Sequence, residues 1–224
     1  LNLNAVASRV YFRPGDPFRG VDALKTQQRL QNMNIFKNSS LTYEANDSLG
    51  LITVNLDLPL LARYNFQIGI ESFQSEDRRI NSNLPGIGGN LSLRNFNVFK
   101  RGERIDLSFN GNISFYKQSE SAKWRSFYQI GQRTTLQFPR FLLPVPIVRN
   151  QDQFNPSTLL TVSHTQEERQ EFSRASTGLS LAYNWFPSPF NRNFSVLFTL
   201  FDGTLINSSI QDNFANQLAN LQPL

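Results

Sequence analysis

Regular alternation of apolar and polar residues in the stretch 105–115 constrains the fold of this chain more than any other feature. The stretch reads "IDLSFNGNISF", with apolar side chains at every second position except Gly111 and polar residues between them. A period of two residues places alternate side chains on opposite faces of a β-strand. One face of this strand therefore suits an apolar environment, which is either a protein core or the hydrocarbon of a bilayer.

The same alternation recurs along the chain after Leu61. Most of the segments have the length that a strand needs to cross a bilayer at a tilt, about 9–11 residues. The predicted strands are Ala62–Phe73, Ile87–Phe99, Glu103–Lys117, Trp124–Phe138, Thr158–Thr165, Phe172–Phe186 and Phe194–Leu205. Because no helical pattern separates them, we expect neighbouring strands to pair antiparallel as a meander.

The first 61 residues follow a different pattern. A helix is predicted from about Val21 to Asn34, because four residues fall on one helical face. These residues are Ala23, Thr26, Leu30 and Met33. A shorter helical pattern precedes this helix, and two strands follow it in "SSLTYEA" and "LITVNLDLPL". We therefore predict a small α+β domain over residues 1–61 that lacks one strand, which we expect before Leu1 in a longer protein.

Three features favour a bilayer as the environment of residues 62–224. The predicted strands are longer than those of globular proteins, which typically have about 5–6 residues. Their polar faces are rich in Asn, Ser, Gln and Thr, which suits a hydrated lumen better than a soluble surface. Aromatic residues gather near the strand ends, as they do at bilayer interfaces. We predict a mainly β fold with an antiparallel up-and-down transmembrane β-barrel, and a soluble β-sandwich is the alternative.

Composition narrows the classes of function. The chain has no cysteine and one histidine, His164, and it contains no Gly-x-Ser-x-Gly motif. We therefore predict no cofactor, no metal and no catalytic centre. The net charge of +5 comes from Lys and Arg residues that are mostly scattered singly, so we predict no nucleic-acid partner. No apolar run approaches the roughly 18 residues of a membrane-spanning helix.

Three further motifs are interpreted as structural. The glycines at 86, 88 and 89 lack the Lys-Ser/Thr continuation of a phosphate loop, and we expect them to serve strand packing. The run Glu167-Glu168-Arg169 is predicted to form a hairpin tip. Arg140, in "FPRF", is predicted to anchor the rim of the barrel.

The stretch "RPGDPFRGVDALKTQQRLQNMNIFKNSSLTYEA" resembles the membrane-proximal POTRA domain of the BamA/TamA family of outer-membrane assembly proteins. In that family a Pro-Gly turn leads into a helix that ends in Leu-x-x-(Leu/Met)-x-x-Phe. The matching residues here are Pro14, Gly15, Leu30, Met33 and Phe36. Later stretches are similar to barrel strands of the family in the same order: "NLSLRNFNVFKRGERIDLSFNG", "TLQFPRFLLP" and "TGLSLAYNWFP". The details are most similar to versions from the Bacteroidetes.

The chain also departs from a complete member of that family. The family's barrels have many more strands than the seven predicted here, and its Arg-Gly-Phe/Tyr loop motif does not occur. We therefore expect residues 1–61 to form the membrane-proximal POTRA domain without its first strand. Residues 62–224 are expected to form about seven strands, the N-terminal part of a larger barrel.

The resemblance implies a location and a mechanism. The POTRA domain would lie in the periplasm and the barrel in the outer membrane of a Gram-negative bacterium. Residues 74–86, 118–123 and 166–171 would be outward loops, and the tail after about residue 206 would also lie outside. Nascent outer-membrane proteins would pair with the open edge of the first barrel strand by β-augmentation. The residues expected to form this edge through their backbone atoms are Asn65, Phe66, Gln67, Ile68, Gly69 and Ile70.

Beside nascent outer-membrane proteins, the implied partners are the outer-membrane lipid bilayer and accessory subunits that are periplasmic or lipoproteins. Two other functions for a barrel of this kind stay open. A barrel fused to a patatin-like lipase would have a Gly-x-Ser-x-Gly motif upstream of Leu1. A passive outer-membrane pore or adhesin would lack POTRA repeats upstream.

Overall fold

The computed structural model describes residues 3–33, 35–46, 50–77, 82–116, 125–142, 155–169, 171–186 and 194–211. This part of the chain is mainly β. Two helices, α1 (Leu3–Ala7) and α2 (Gly20–Asn32), precede a hairpin of β1 (Ser40–Asn46) and β2 (Leu51–Asp57). The predicted order of helix, helix, strand and strand is therefore confirmed. No helix among the described residues is both long and apolar enough to span a membrane.

Seven long strands form a second sheet. They are β3 (Tyr64–Asp77), β4 (Ser82–Phe96), β5 (Arg104–Tyr116), β6 (Arg125–Phe138), β7 (Ser157–Glu168), β8 (Phe172–Trp185) and β9 (Val196–Ile210). Each strand pairs antiparallel with the next one in the chain, so the predicted meander is confirmed. Within the described residues the sheet does not close, and β3 and β9 are its two edges.

Several strands extend further than the apolar alternation predicts. β3 ends at Asp77 and β4 begins at Ser82, so the prediction of an outward loop over 74–86 is wrong for 74–77 and 82–86. The prediction is also wrong for 166–168, which belong to β7, and the outward tail predicted after about residue 206 is wrong up to Ile210, because β9 extends to that residue. The added residues are mostly polar, but the backbone hydrogen bonds of a hairpin do not require apolar side chains. Residues 78–81 and the predicted loop 118–123 lie outside the described residues.

The register separates the side chains of the seven-stranded sheet onto two faces. Directly opposed residues of neighbouring strands point to the same side. One side, which we call the apolar face, carries Tyr64, Phe66, Ile68, Ile70, Ile87, Leu91, Leu93, Ile105, Leu107, Phe109, Ile113, Ile130, Leu136, Leu160, Val162, Leu179, Leu181 and Phe201. The other side, the polar face, carries mainly Asn, Ser, Thr, Gln and Gly with a few ion pairs.

The helical unit at the N-terminal end, residues 3–61, has a small closed core. The four α2-region residues predicted to share a helical face are all buried: Ala23, Thr26, Leu30 and Met33. Leu30 and Met33 pack with Ile35 and Phe36. Thr26 is tolerated there because its hydroxyl donates to the Asp22 carbonyl at 2.8 Å and accepts from the Tyr11 N–H at 3.0 Å.

Backbone hydrogen bonds hold the chain on each side of the junction between the helical unit and the long sheet. The Leu61 N–H donates to the Ile35 carbonyl, and the Phe96 N–H donates to the Arg63 carbonyl, both at 2.8 Å. Phe96, the last residue of β4, also packs against the helical core. The chain therefore enters β3 from a fixed position, and β3 runs away from the helical unit.

Candidate functional site

The predicted site residues lie together on an open strand edge. Asn65 to Ile70 stand in the middle of β3, where they pair with Arg94 to Gly89 of β4. Among the described residues β3 has no other strand partner. The backbone N–H and C=O groups of an edge strand that point away from its neighbour are free to accept another strand. All six predicted residues therefore belong to one segment with the geometry of a template.

The side chains of this segment divide between the two faces. Phe66, Ile68 and Ile70 lie on the apolar face and are 60, 64 and 84% exposed. Asn65 and Gln67 lie on the polar face and are also exposed. Because nothing in the described residues covers Phe66, Ile68 and Ile70, an added strand would meet an apolar surface on one side and a polar surface on the other.

Gly69 is covered by a side chain of the next strand. A Cβ at this position would lie 2.6 Å from Oδ1 of Asn90, its direct cross-strand partner. The Asn90 amide therefore fills the space that a larger side chain would need. A glycine in a strand often marks a place where a neighbouring group approaches closely, and Asn90 is that group here.

The same arrangement recurs across the polar face. Gly131 is overlaid by Asn110, and Gly178 by Ser163, each the direct partner of the glycine. Gly88 is overlaid by Asn112, and the ring of Phe73 lies across Gly86. These contacts confirm that Gly86 and Gly88 serve strand packing. On this face the side chains of neighbouring residues fill the space that glycine leaves open.

Two clusters of charge stand near opposite ends of the polar face. Near the helical unit, Asp106 forms ion pairs with Arg94 and Arg104, the latter at 2.9 Å. At the far end, buried Glu167 accepts hydrogen bonds from Arg169 at 2.5 Å and Arg174 at 2.8 Å. Glu167 was predicted in a hairpin tip, but it belongs to β7 and points into this cluster.

The large apolar residues form a band that runs obliquely across the strands. Directly opposed residues form rows that cross the sheet from strand to strand. The row that begins at Tyr64 in β3 reaches Leu181 in β8, and the row that begins at Ile70 reaches Ala175. The large apolar residues of β8 are displaced from these rows towards the helical unit: Leu179, Leu181, Tyr183 and Trp185. Between β3 and β8, about five strand spacings apart, the band shifts by about four residues along the strands. The band is therefore inclined by about 30° to the rows of directly opposed residues.

The middle of β6 to β8 on the apolar face is polar because of this displacement. Gln132, His164 and Thr177 are directly opposed, and His164 Nδ1 lies 2.9 Å from Thr177 Oγ1. Within the described ranges, no group of three or more His, Cys, Asp or Glu residues is placed to hold a metal ion. His164 therefore has a hydrogen-bonding role within the sheet.

An aromatic cluster that the sequence did not predict lies at the C-terminal end of β8. Phe141, just after β6, packs on Tyr183 and Trp185 with ring centroids 4.8 and 6.1 Å apart. The segment is held by Thr158, whose hydroxyl donates to the Arg140 carbonyl at 2.7 Å and accepts from the Leu142 N–H at 3.1 Å. Phe141 and Tyr183 are far apart in the chain and meet only in the folded structure, so no local sequence pattern indicates their contact.

No known family model matches this chain, and no curated protein matches it either. The functional interpretation therefore depends on the residues of the chain and on their geometry.

Proposed function

We propose that this chain is part of an outer-membrane assembly factor, in which the edge of β3 pairs with strands of nascent outer-membrane proteins. The helical unit acts as the membrane-proximal POTRA-type domain in the periplasm, and the seven strands form the N-terminal part of a transmembrane barrel. The templating residues are Asn65, Phe66, Gln67, Ile68, Gly69 and Ile70. They act through backbone hydrogen bonds, without cofactor, metal or covalent chemistry.

The open edge of β3 is the observation on which this proposal rests. Its free N–H and C=O groups offer hydrogen bonds to an incoming strand. In hydrocarbon such groups cannot remain unpaired, because each unsatisfied group costs several kcal/mol, on the order of the penalty for burying an amide without a partner. Pairing of an incoming strand with this edge is therefore most favourable in free energy when the edge lies in a bilayer.

Two properties of the sheet support a position in the membrane. The uncovered apolar face opposes a face of Asn, Ser, Thr and Gln, which is the division between lipid and a hydrated lumen. The oblique band supports the same setting. Strands that cross the flat hydrocarbon layer at a tilt need an apolar band that is inclined to the rows of directly opposed residues. The angle of about 30° is close to the tilt of strands in outer-membrane barrels, about 35–45°.

The position of the helical unit supports the proposed direction of β3. Phe96, the last residue of β4, packs against the core of the unit, and Arg9 of the unit donates a hydrogen bond to the Pro139 carbonyl just after β6. Odd-numbered strands from β3 onward therefore run away from the helical unit, and even-numbered strands run towards it. A periplasmic helical unit then directs β3 towards the outside.

Single cysteines test the templating edge, since the natural chain has none. We expect Gln67→Cys in the membrane-inserted chain to form a disulfide with a cysteine in the last strand of a stalled barrel substrate. Directly paired residues of neighbouring strands have Cβ atoms about 4.5–5.5 Å apart, close enough for slight adjustment to a disulfide. Gln129→Cys is the matched control, because Gln129 is an exposed glutamine on the polar face of β6, which has partners on both sides.

The crosslinking result separates the proposal from the second candidate, a passive pore. The polar face with its ion pairs is equally suited to line a pore. A pore would pair β3 permanently with its own last strand and leave Gln67→Cys unreactive towards the substrate. Equal crosslinking at positions 67 and 129, or none at position 67, would contradict the templating role.

A further inference from the structure

An arginine-lined cavity lies where the helical unit meets the sheet. It has a volume of about 310 Å³ and is lined by Asn4, Ser8, Arg9, Arg101, Glu103, Pro139 and Arg140. These residues come from three separate places: the end of α1, the turn between β4 and β5, and the segment after β6. Three guanidinium groups and one carboxylate give the lining a formal charge of about +2 at neutral pH.

Hydrogen bonds fix the backbone around the cavity and one of its arginine side chains. Arg9 Nη2 donates to the Pro139 carbonyl at 3.2 Å. The main chain beside the other two arginines is also held, because the Arg140 carbonyl accepts from the Thr158 hydroxyl and the Arg101 N–H donates to buried Glu103 at 3.0 Å. The walls of the cavity and the position of Arg9 are therefore defined, while the side chains of Arg101 and Arg140 are exposed.

The arginines are not neutralised by carboxylates. In the described part of the chain, none of Arg9, Arg101 and Arg140 forms an ion pair within 4.0 Å. Burial lowers the pKa of Arg9 from its usual value, and the nearby charges of Arg29 and Arg140 lower it further. A guanidinium remains charged at neutral pH despite such a shift. The charge of Arg9 is thus in a partly dehydrated place, where an anion gains more from it than in water.

We propose that this cavity binds a phosphate-bearing anion through Arg9, Arg101 and Arg140. Planar guanidinium groups make bidentate hydrogen bonds to phosphate oxygens, and several of them around one cavity favour a group with more than one negative oxygen. The volume exceeds that of a single phosphate ion and leaves room for a substituent. The inference goes beyond the proposed function and does not require the β3 edge.

The neighbourhood of the cavity points to a lipid headgroup as the source of the phosphate. Arg140 directly precedes Phe141, which packs with Tyr183 and Trp185 at the same end of the sheet. Tyr and Trp rings favour the headgroup level of a bilayer. A free phosphate-bearing solute presents the same chemistry, so the test uses both.

The experiment titrates the full chain, folded in a nonionic detergent, with two probes. Inorganic phosphate is followed by calorimetry, and retention of short-chain phosphatidylglycerol added to the micelles is followed by native mass spectrometry. We expect Arg101→Gln and Arg140→Gln each to weaken binding of the bound probe by about tenfold, because each removes charged hydrogen bonds. Both side chains are exposed at the cavity mouth, so the fold does not depend on them. Arg13→Gln, at an exposed arginine outside the cavity, is the matched control.

Binding of phosphatidylglycerol alone would identify a lipid headgroup, and binding of inorganic phosphate as well would identify a general phosphate site. Either result supports the proposal if the two cavity variants weaken it and Arg13→Gln does not. The proposal is overturned if neither probe binds, or if the control variant weakens binding as much as the cavity variants do. None of these outcomes depends on crosslinking at β3, so the two proposals fail separately.

Discussion

The helical unit and the long sheet of this chain treat their apolar side chains in opposite ways. In the helical unit, Leu30, Met33, Ile35 and Phe36 are buried against each other. In the sheet, apolar residues are just as regular in sequence, yet most of them stay uncovered among the described residues. The comparison teaches that apolar patterning determines where side chains point, while the surroundings determine what they touch.

The difference follows from the geometry of the two elements. A helix buries one stripe, and a few residues from α1, from β2 and the loops beside it, and from the end of β4 are enough to cover it. A sheet of seven long strands has an apolar face far too large for a unit of that size to cover. In the proposed setting, lipid replaces the missing protein layer.

The largest effect is expected in the helical core. Leu30→Ala removes a fully buried side chain and leaves a cavity, so it should lower the free energy of unfolding of the helical unit by about 2–5 kcal/mol. Denaturant titration of the full chain in detergent, followed by far-ultraviolet circular dichroism of α2, measures this loss. Ile70→Ala is the control in the sheet, since Ile70 is 84% exposed, contributes nothing to the core around Leu30, and should change the free energy of unfolding of the helical unit by less than about 1 kcal/mol. Equal costs would remove the contrast between the two regions.

Placing a lysine on each face of the sheet tests whether the uncovered apolar side chains contact lipid. Leu91→Lys places a charge on the apolar face, and we expect it to reduce the folding free energy in lipid vesicles by about 2–4 kcal/mol. Ser92→Lys, the next residue in β4, points to the polar face and should cost less than about 1 kcal/mol. Refolding into vesicles at increasing denaturant, followed by Trp fluorescence, gives both values. If both substitutions cost the same, the apolar face does not contact hydrocarbon.

The smallest effect is expected from two glycines of the sheet. Gly86→Ala should cost about 1–3 kcal/mol, because a Cβ there would lie 2.9 Å from the Ile113 carbonyl oxygen and against the Phe73 ring. Gly111→Ala, on the apolar face, meets no atom within 4 Å and should stabilise the strand by about 0.5–1 kcal/mol.

The same vesicle titration measures both alanine variants. Opposite signs would confirm that the polar face is closed over its glycines while the apolar face is open at Gly111. A loss of stability in Gly111→Ala would show instead that something covers that position.

Much of the fold was predictable because its determinants are local. Alternation in each segment predicted all seven strands and their antiparallel order, and helical spacing predicted the buried face of α2. The outer ends of β3, β4, β7 and β9 were not predicted, since hydrogen-bonded hairpins continue where apolar alternation stops. The resemblance to outer-membrane assembly proteins selected the β3 edge, and that role stays a prediction for crosslinking to test.

By itself, the sequence determined which residues form strands and which side of each strand is apolar, because both depend on neighbours two residues apart. Only the tertiary structure decided that Arg9 lies against Pro139, that Asn90 lies over Gly69, and that β3 pairs with β4 alone among the described residues. Those relations depend on strand register and on how the helical unit meets the sheet. Register joins residues that are far apart in the chain, and no local pattern contains that information.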